Sequence, residues 1–211
     1  MRRIIAAAVA AVFVTPIVAH AAPVTGGTTV VRVLAPLGTI VPGVLGTATL
    51  RSADPLDILF PITGGNLTIT SGVPGATGTI EHDGSGFSLT QAGTTAEIRN
   101  LVIDFGAGTV LGDVSVGGAS QGTGLTLFNV LPGVTFGGAQ DLGNPQAQLN
   151  LSQLSVDLLT RLFGVTGIDT SQRFGTFATV PQIAATPTPA PAAIALFGLA
   201  PLALAVARRR A

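Results

Sequence analysis

The chain has 211 residues, of which only 9% are charged and 47% are hydrophobic. This balance excludes a disordered, highly charged chain, and the length allows one domain with a hydrophobic core plus terminal segments. The absence of cysteine excludes a disulfide framework, a thiolate metal site and a cysteine nucleophile.

The first 21 residues have the organisation of a secretory signal peptide. Two arginines are followed by an apolar segment, Ile4–Val18, of the length that such peptides use. Ala19 and Ala21 then form the small-x-small pattern of a signal peptidase site. An uncleaved membrane anchor is the alternative, but this pattern and the glycine- and threonine-rich run after it favour cleavage. We therefore predict that residues 1–21 direct export through the translocon and are removed.

The body of the chain has the composition of a β protein. Its 28 glycines and 14 prolines supply many turns, and Thr, Val, Ile and Leu fill the short segments between them. The candidate strands are Thr28–Leu34, Thr47–Arg51 after a Pro-Gly turn, Leu56–Phe60, Asn66–Thr70, Gly78–His82, Phe87–Gln91 after a DGSG turn, Thr95–Phe105, Val110–Val116, Leu125–Val130, Gln148–Leu151 and Arg173–Val180.

Alternation within these segments indicates how the strands meet water. Leu67 and Ile69 share one face of their strand, and hydroxyl-bearing residues occupy the other, which is typical of an antiparallel sheet with one solvated side. In the longest run the apolar positions change face between Ile98 and Leu101, which predicts a bulge near residues 99–100. Many short strands at regular spacing predict a mainly β fold, an antiparallel sandwich or a partly closed barrel, over residues 23–183.

One segment, residues 150–164 (NLSQLSVDLLTRLFG), departs from the strand pattern. Its apolar residues fall on one helical stripe that consists of Leu151, Leu154, Leu158 and Leu162. Asn150 or Ser152 can cap the start of such a helix, and Gly164 can end it. The pattern predicts a single amphipathic helix packed on the sheet.

The chemistry-bearing residues of the body form no recognisable catalytic set. His82, between Glu81 and Asp83, is the one histidine left after signal removal; it could act as a general base or metal ligand, but zinc needs further ligands that the chain lacks. The alternative is a strand that ends in an ordinary Asp-Gly turn. Asp54 and Asp57 form another carboxylate pair, but closeness in sequence does not place acids across a cleft. No nucleophile-elbow or dinucleotide-binding motif occurs. We predict a non-enzymatic domain with no catalytic, cofactor-binding or metal-binding residue.

Residues 78–116 (GTIEHDGSGFSLTQAGTTAEIRNLVIDFGAGTVLGDVSV) combine a strand leading to His82, glycines after it, alternating strands and a strand that bears Asp113. This stretch resembles the HtaA-type repeat of secreted and surface bacterial proteins. The resemblance implies a β-rich ligand-binding module, and the better-known members of that family bind haem through a tyrosine. This chain contains no tyrosine, so the usual iron ligand is missing.

Three further parts follow in fixed order at the C-terminal end. Residues 184–191 form a proline-rich linker, which is stiff and extended. Residues 192–207 (AAIALFGLAPLALAVA) carry no charged side chain and approach the roughly 20 residues that cross a bilayer as a helix. Arg208, Arg209 and Arg210 then form a cytoplasmic stop. We predict a transmembrane segment; a core helix is the alternative, although core helices seldom lie between a proline-rich linker and three arginines.

This tail resembles the PEP-CTERM sorting signal of exopolysaccharide-producing Gram-negative bacteria. Pro189, Ala190 and Pro191 match the motif, followed by the apolar segment and the arginine cluster, although the namesake motif has glutamate where Ala190 stands. The resemblance implies that an exosortase-like membrane protease recognises the motif and removes the tail. The product would then pass from transient inner-membrane anchoring to the cell surface or the extracellular matrix.

Charge and tail together give the functional prediction. Of ten arginines five lie in the terminal segments, so the body keeps five against ten acids and carries about five negative charges, which disfavours nucleic acid as a partner. We predict an exported, envelope-sorted protein with a structural or adhesive role and exopolysaccharide as a partner. The alternative is an HtaA-like surface module that binds haem or another apolar ligand.

Overall fold

The computed structural model describes residues 21–35, 38–69, 76–131 and 141–184. Its elements, in chain order, are β1 (Ala22–Val33), β2 (Val41–Gly46), β3 (Thr49–Ala53), β4 (Leu56–Pro61), β5 (Gly64–Ile69), β6 (Ala76–Gln91), β7 (Thr94–Asp104), β8 (Thr109–Val116), β9 (Ala119–Val130), β10 (Ala147–Leu151), α1 (Gln153–Phe163) and β11 (Arg173–Ile183). The predicted signal helix and C-terminal membrane segment lie outside the described residues. Within these ranges, no helix is long and apolar enough to cross a membrane.

The strands join into one antiparallel sheet that closes on itself. Neighbouring strands follow the order β11-β10-β9-β8-β7-β6-β5-β1-β4-β3, with β2 paired to β6. Because β11 also pairs with β1, the strands from β5 to β11 and β1 form a complete ring. The predicted fold class, mainly β with antiparallel strands and one amphipathic helix, is confirmed.

Strand β2 was not predicted, because its sequence VPGVLG has the composition of a turn. Pro42 and Gly43, predicted as a turn, instead pair with Leu89 and Ser88 of β6. Gly43 allows this close approach, since a Cβ there would lie 2.6 Å from the Ser88 hydroxyl oxygen. Because β2 pairs with β6 alone, it is an edge strand, the kind that tolerates proline.

The predicted DGSG turn is wrong, since these residues lie inside the single long strand β6. The strand bulges between His82 and Gly86, and the buried Ser85 hydroxyl donates to the His82 carbonyl at 2.9 Å. Gly86 is required here because a Cβ would lie 2.0 Å from the Ile98 carbonyl oxygen. The two predicted strands, Gly78–His82 and Phe87–Gln91, are therefore parts of one strand, and the chain bulges between them without reversing its direction.

The bulge predicted near residues 99–100 is confirmed in β7. Its register shifts between Arg99 and Val102, so that Ile98 and Leu101 are both buried although their sequence parity differs. Asn100 adopts φ 51° there, a left-handed conformation in which asparagine is enriched.

A row of hydrogen bonds aligns the bulges of neighbouring strands. The Asn100 amide accepts from Gly84 N–H at 2.9 Å and donates to the Asp113 carboxylate at 2.8 Å. Asp113 in turn accepts from Gly124 N–H at 2.9 Å. The row therefore connects β6, β7, β8 and β9 at the level where the sheet bends.

Helix α1 forms where the stripe predicted it and is capped as expected. The Ser152 hydroxyl accepts from Ser155 N–H at 3.1 Å, and Gly164 ends the helix in the left-handed conformation at φ 65°. Leu151 does not belong to the stripe, because it is the last residue of β10 and is buried in the core. The hydroxyls of Ser152 and Ser155 donate to carbonyls of β9, both at 2.7 Å, and so anchor the helix start on the sheet.

A buried ion pair joins the first strand to the fourth. Arg32 donates through Nε and Nη2 to the two carboxylate oxygens of Asp57, at 2.7 and 2.8 Å. The Asp57 side chain is 3% exposed and that of Arg32 is 22% exposed. Arg32 also donates to the Gly143 carbonyl at 3.3 Å, which ties the loop before β10 to the same pair.

Candidate functional site

Most residues predicted for sorting and processing lie outside the described part of the chain. These are Ala19, Pro189, Ala190, Pro191, Arg208, Arg209 and Arg210. Ala21 is described, and it is an exposed residue directly before β1. The segment that a peptidase would cut thus adjoins the first strand of the closed sheet.

The start of the first strand and the end of the last strand meet at one point, which we call the terminal junction. Val24 of β1 pairs with Ile183 of β11, and Ala184 N–H donates to the Pro23 carbonyl at 2.9 Å. The Thr25 hydroxyl adds a bond to the Gln182 carbonyl at 3.2 Å. The described chain therefore begins and ends on adjacent strands, at the same end of the pair.

His82 lies inside the closed sheet rather than at a strand end. It is 1% exposed, and its Nε2 is 2.8 Å from the Thr29 hydroxyl oxygen. Thr29 donates to the Thr179 hydroxyl at 2.9 Å, which leaves its oxygen to accept from the ring N–H. Nδ1 lies 3.3 Å from the Leu101 carbonyl, and Phe60 packs edge-on with ring centroids 6.1 Å apart. Each ring nitrogen therefore faces a protein oxygen atom.

Burial keeps His82 neutral. Desolvation lowers its pKa from 6.5 to about 4, and this effect exceeds the opposing influence of the Leu101 carbonyl, which would stabilise a protonated ring. A neutral imidazole has one N–H, so Nε2 donates to Thr29 and Nδ1 lacks a proton for Leu101. The ring is a buried, neutral core group at neutral pH and not an accessible base or metal ligand.

The space around His82 is too small for an organic ligand. The cavity measures about 40 Å³ and is lined by apolar side chains such as Phe60, Phe87 and Phe177. For comparison, a dry protein cavity that accepts benzene measures about 150 Å³. A porphyrin could reach His82 only if the core opened.

The carboxylates that are close in sequence do not converge in the structure. Asp57 is committed to Arg32, while Asp54 is exposed. Asp83 is also exposed, and Glu81 points toward Gly64 on the neighbouring strand. Within the described ranges, no group of three or more histidine or acidic side chains could hold a metal ion.

A second void, the helix cleft, lies between α1 and the sheet. Leu158, Leu162 and Phe163 of the helix face Ile98 of β7 and Val114 of β8 across it. The cleft measures about 50 Å³ and is almost wholly apolar. It arises because α1 makes its main contacts with β9 and β10, which leaves β7 and β8 incompletely covered. Sequence periodicity located the helix stripe but could not show which strands it would leave uncovered.

Comparisons with known proteins bear on the fold only. The chain matches no protein-family model and no curated protein. It is similar to the solved C-terminal domain of HtaA from Corynebacterium glutamicum, at 14% identity and TM-score 0.49, over 77% of this chain and 99% of that one. It is also similar to the haem-binding protein HtaB from the same organism, at 14% identity and TM-score 0.46, over 77% of this chain and 98% of that one. The names agree with the family that residues 78–116 resemble, but likeness at this level carries no argument about ligand or activity.

Proposed function

We propose that the chain is exported and sorted to the envelope or extracellular matrix of a Gram-negative bacterium, where it has a structural or adhesive role without catalysis. A PEP-CTERM-type tail would direct this sorting, and an exosortase-like protease would remove it. Exopolysaccharide is the proposed partner at the destination.

The terminal junction is the observation that carries this proposal. A domain that begins as translocated chain and ends at a membrane tail is best held from one side, so that the rest of its surface faces away from the bilayer. The pairing of Val24 with Ile183 and the bond from Ala184 to Pro23 supply that arrangement. The same geometry lets the tail be cut without disturbing the sheet, since the predicted motif begins beyond Ala184.

The closed ring also suits folding after export. Strand β11 is needed to connect β1 with β10, and Phe174–Thr179 within it are all buried. The ring therefore cannot close until the chain has been translocated through residue 183. At that moment the apolar tail segment follows by fewer than ten residues and would hold the newly folded domain at the membrane.

The environment of His82 supports the non-catalytic part of the proposal. General acid–base catalysis requires a group within hydrogen-bond reach of a substrate. His82 is enclosed by Thr29, Leu101 and Phe60, and its lowered pKa leaves it neutral at physiological pH.

Sorting is tested by following the protein in an exosortase-bearing host. Deletion of residues 189–211 and the double substitution Pro189→Ala/Pro191→Ala should each abolish surface delivery, the first by release into the periplasm and the second by retention at the inner membrane. Pro187→Ala, outside the motif, is the matched control and should be delivered normally. Surface delivery of the deletion variant at the wild-type level would refute the proposal.

Haem binding is the alternative that the resemblance of residues 78–116 implies, although the voids around His82 and beside α1 measure only about 40 and 50 Å³. It is tested by visible absorption titration of the purified protein with haem. A Soret shift that disappears in His82→Ala would support it. Since His82 is 1% exposed and the space around it measures about 40 Å³, we expect no His82-dependent shift.

A further inference from the structure

The bond predicted for removal of the signal peptide lies directly at the start of β1. The small-x-small pattern of Ala19 and Ala21 places this bond between Ala21 and Ala22. Ala21 is exposed, whereas Ala22 is the first residue of β1 and is only 9% exposed. The chain therefore passes from an exposed residue to a buried one across the bond that would be cut.

One side of β1 holds the two residues after this bond through β5. Ala22 pairs with Leu67, and Pro23 pairs with Asn66. The Leu67 side chain is 1% exposed, so this pairing lies at the hydrophobic core rather than at a loose end of the sheet. The first two residues that a signal peptidase would bind after the bond are thus part of a ladder.

The other side of β1 is held by the last strand, β11. Val24 is 5% exposed and pairs with Ile183. The Pro23 carbonyl accepts from Ala184 N–H at 2.9 Å. The start of β1 is therefore fixed between β5 and β11, and it cannot leave the sheet without breaking contacts on both sides.

An endopeptidase binds the residues around the cut bond as an extended segment, whose backbone and side chains contact the enzyme. Residues that already belong to a sheet cannot make these contacts at the same time. Cleavage of a folded protein at such a place proceeds through the fraction of molecules in which the segment has opened locally. In this domain the opening must free Ala22, Pro23 and Val24.

The predicted tail site has no such restriction. Its motif begins at Pro189, five residues after Ala184, the residue whose N–H bonds to the Pro23 carbonyl. A cut at Pro189 or beyond therefore requires no opening of the described sheet.

We propose that the fold sets the order of the two cuts: the signal peptide is removed before β1 pairs with β5 and β11, and the tail is removed after the domain has folded. This inference rests on the proposed export and adds a regulation to it. Pairing of β1 with β5 needs the chain only through Ile69, so the interval for the first cut ends before β11 has been translocated. A precursor that folds first keeps its signal peptide and stays attached to the membrane.

The test is cleavage of the purified full-length precursor, folded in detergent, by purified signal peptidase, with the new N-terminus identified by mass spectrometry. A spacer variant carries Ala-Gly-Ser-Gly-Ser-Gly between Ala21 and Ala22, which keeps an alanine on each side of the cut bond and moves that bond away from β1. We expect the spacer variant to be cut at least about tenfold faster than the wild type, because the wild type is cut only when the start of β1 has opened.

The matched control carries the same six residues between Gly117 and Gly118, in the turn that joins β8 to β9. Nothing lies within 4 Å of a Cβ at either glycine, so this turn has room for the insertion. Circular dichroism checks that all three proteins are folded. We expect the control to be cut as slowly as the wild type. Cleavage of the wild type or of the control at the rate of the spacer variant would overturn the proposed order.

Failure of this inference and failure of the proposed function give different results. If the wild type and the spacer variant are cut after Ala21 at equal rates, the signal peptide is confirmed and only the order of the cuts is refuted. If neither protein is cut after Ala21, the predicted signal site is wrong, and the inference fails with it. The sorting test measures surface delivery of tail variants, so its outcome does not depend on these rates.

Discussion

The buried histidine makes the stability of the domain depend on pH in a direction that can be worked out. In the folded protein the pKa of His82 is lowered to about 4, whereas its ordinary value is 6.5. As the pH falls below 6.5 the unfolded chain binds a proton on this residue before the folded chain does. Stability from the neutral, buried ring is therefore fully present above pH 6.5 and is lost as the pH falls toward 4.

The size of the effect follows from the same two values. Each unit of pKa difference is worth about 1.4 kcal/mol, so the full loss is about 3 kcal/mol. Domains of this size are stable by about 5–15 kcal/mol, so this loss is a substantial fraction of the total. The expected loss is not reduced for screening by solvent, since His82 is 1% exposed.

The assay compares urea unfolding of the wild type and of His82→Gln at intervals between about pH 7 and pH 4. Glutamine does not titrate, and its amide can still donate to Thr29. All carboxylates, and His20 if retained, are common to both proteins, so the difference in unfolding free energy isolates His82. We expect the wild type to lose about 3 kcal/mol relative to the variant over this interval. A difference that does not change with pH would show that His82 is not a buried neutral group.

Three further substitutions test the packing. Arg32→Gln should lower the free energy of unfolding by about 3 kcal/mol in urea titrations, because the buried carboxylate of Asp57 loses its partner. Gly86→Ala should cost at least about 3 kcal/mol or prevent folding, as judged by circular dichroism, since its Cβ would lie 2.0 Å from the Ile98 carbonyl oxygen. Ser152→Ala should lower the thermal midpoint through a loss of about 1–2 kcal/mol, because α1 loses its N-cap and its bond to β9.

Each of these substitutions has a control of the same kind elsewhere in the chain. Arg161→Gln removes an exposed arginine and should change stability by less than about 0.5 kcal/mol. Gly93→Asn introduces a side chain at φ 82° where nothing lies within 4 Å, so it should cost far less than Gly86→Ala. Gln153→Ala removes an exposed helix residue beside the cap. If a substitution and its control lower the free energy of unfolding by the same amount, the contact proposed to stabilise that site does not do so.

Local sequence patterns predicted much of the fold because alternation and capping act over a few residues. The parity change between Ile98 and Leu101 was enough to predict the β7 bulge, and Ser152 and Gly164 marked the helix ends. The sequence does not predict strand β2, because proline and glycine favour turns unless pairing with another strand overrides that preference. Its partner, β6, lies about forty residues away, and no local pattern contains that contact.

The burial of His82 could have been predicted from the alternation of residues along its strand. Ile80 and His82 are two residues apart on one strand, so they share a face, and Ile80 is fully buried. The Asp-Gly sequence that follows suggested a strand end and hid this relation. The bulge that replaces the turn depends on the close approach of Gly86 to β7, which is a tertiary contact.

Closure of the ring could not be predicted from local sequence patterns, because it pairs β1 with β11 at the other end of the domain. The free energy of this closure explains why the last strand matters. Joining β1 to β11 closes a loop of almost the whole domain, at an entropic cost of about 4 kcal/mol. Burial of Phe174 and Phe177 offsets this cost, since each side chain contributes about 1.5–3 kcal/mol. Loop cost rises only slowly with length, so late closure is little more expensive than early closure. The sheet can therefore wait for its final strand, as the proposed export of the domain would require.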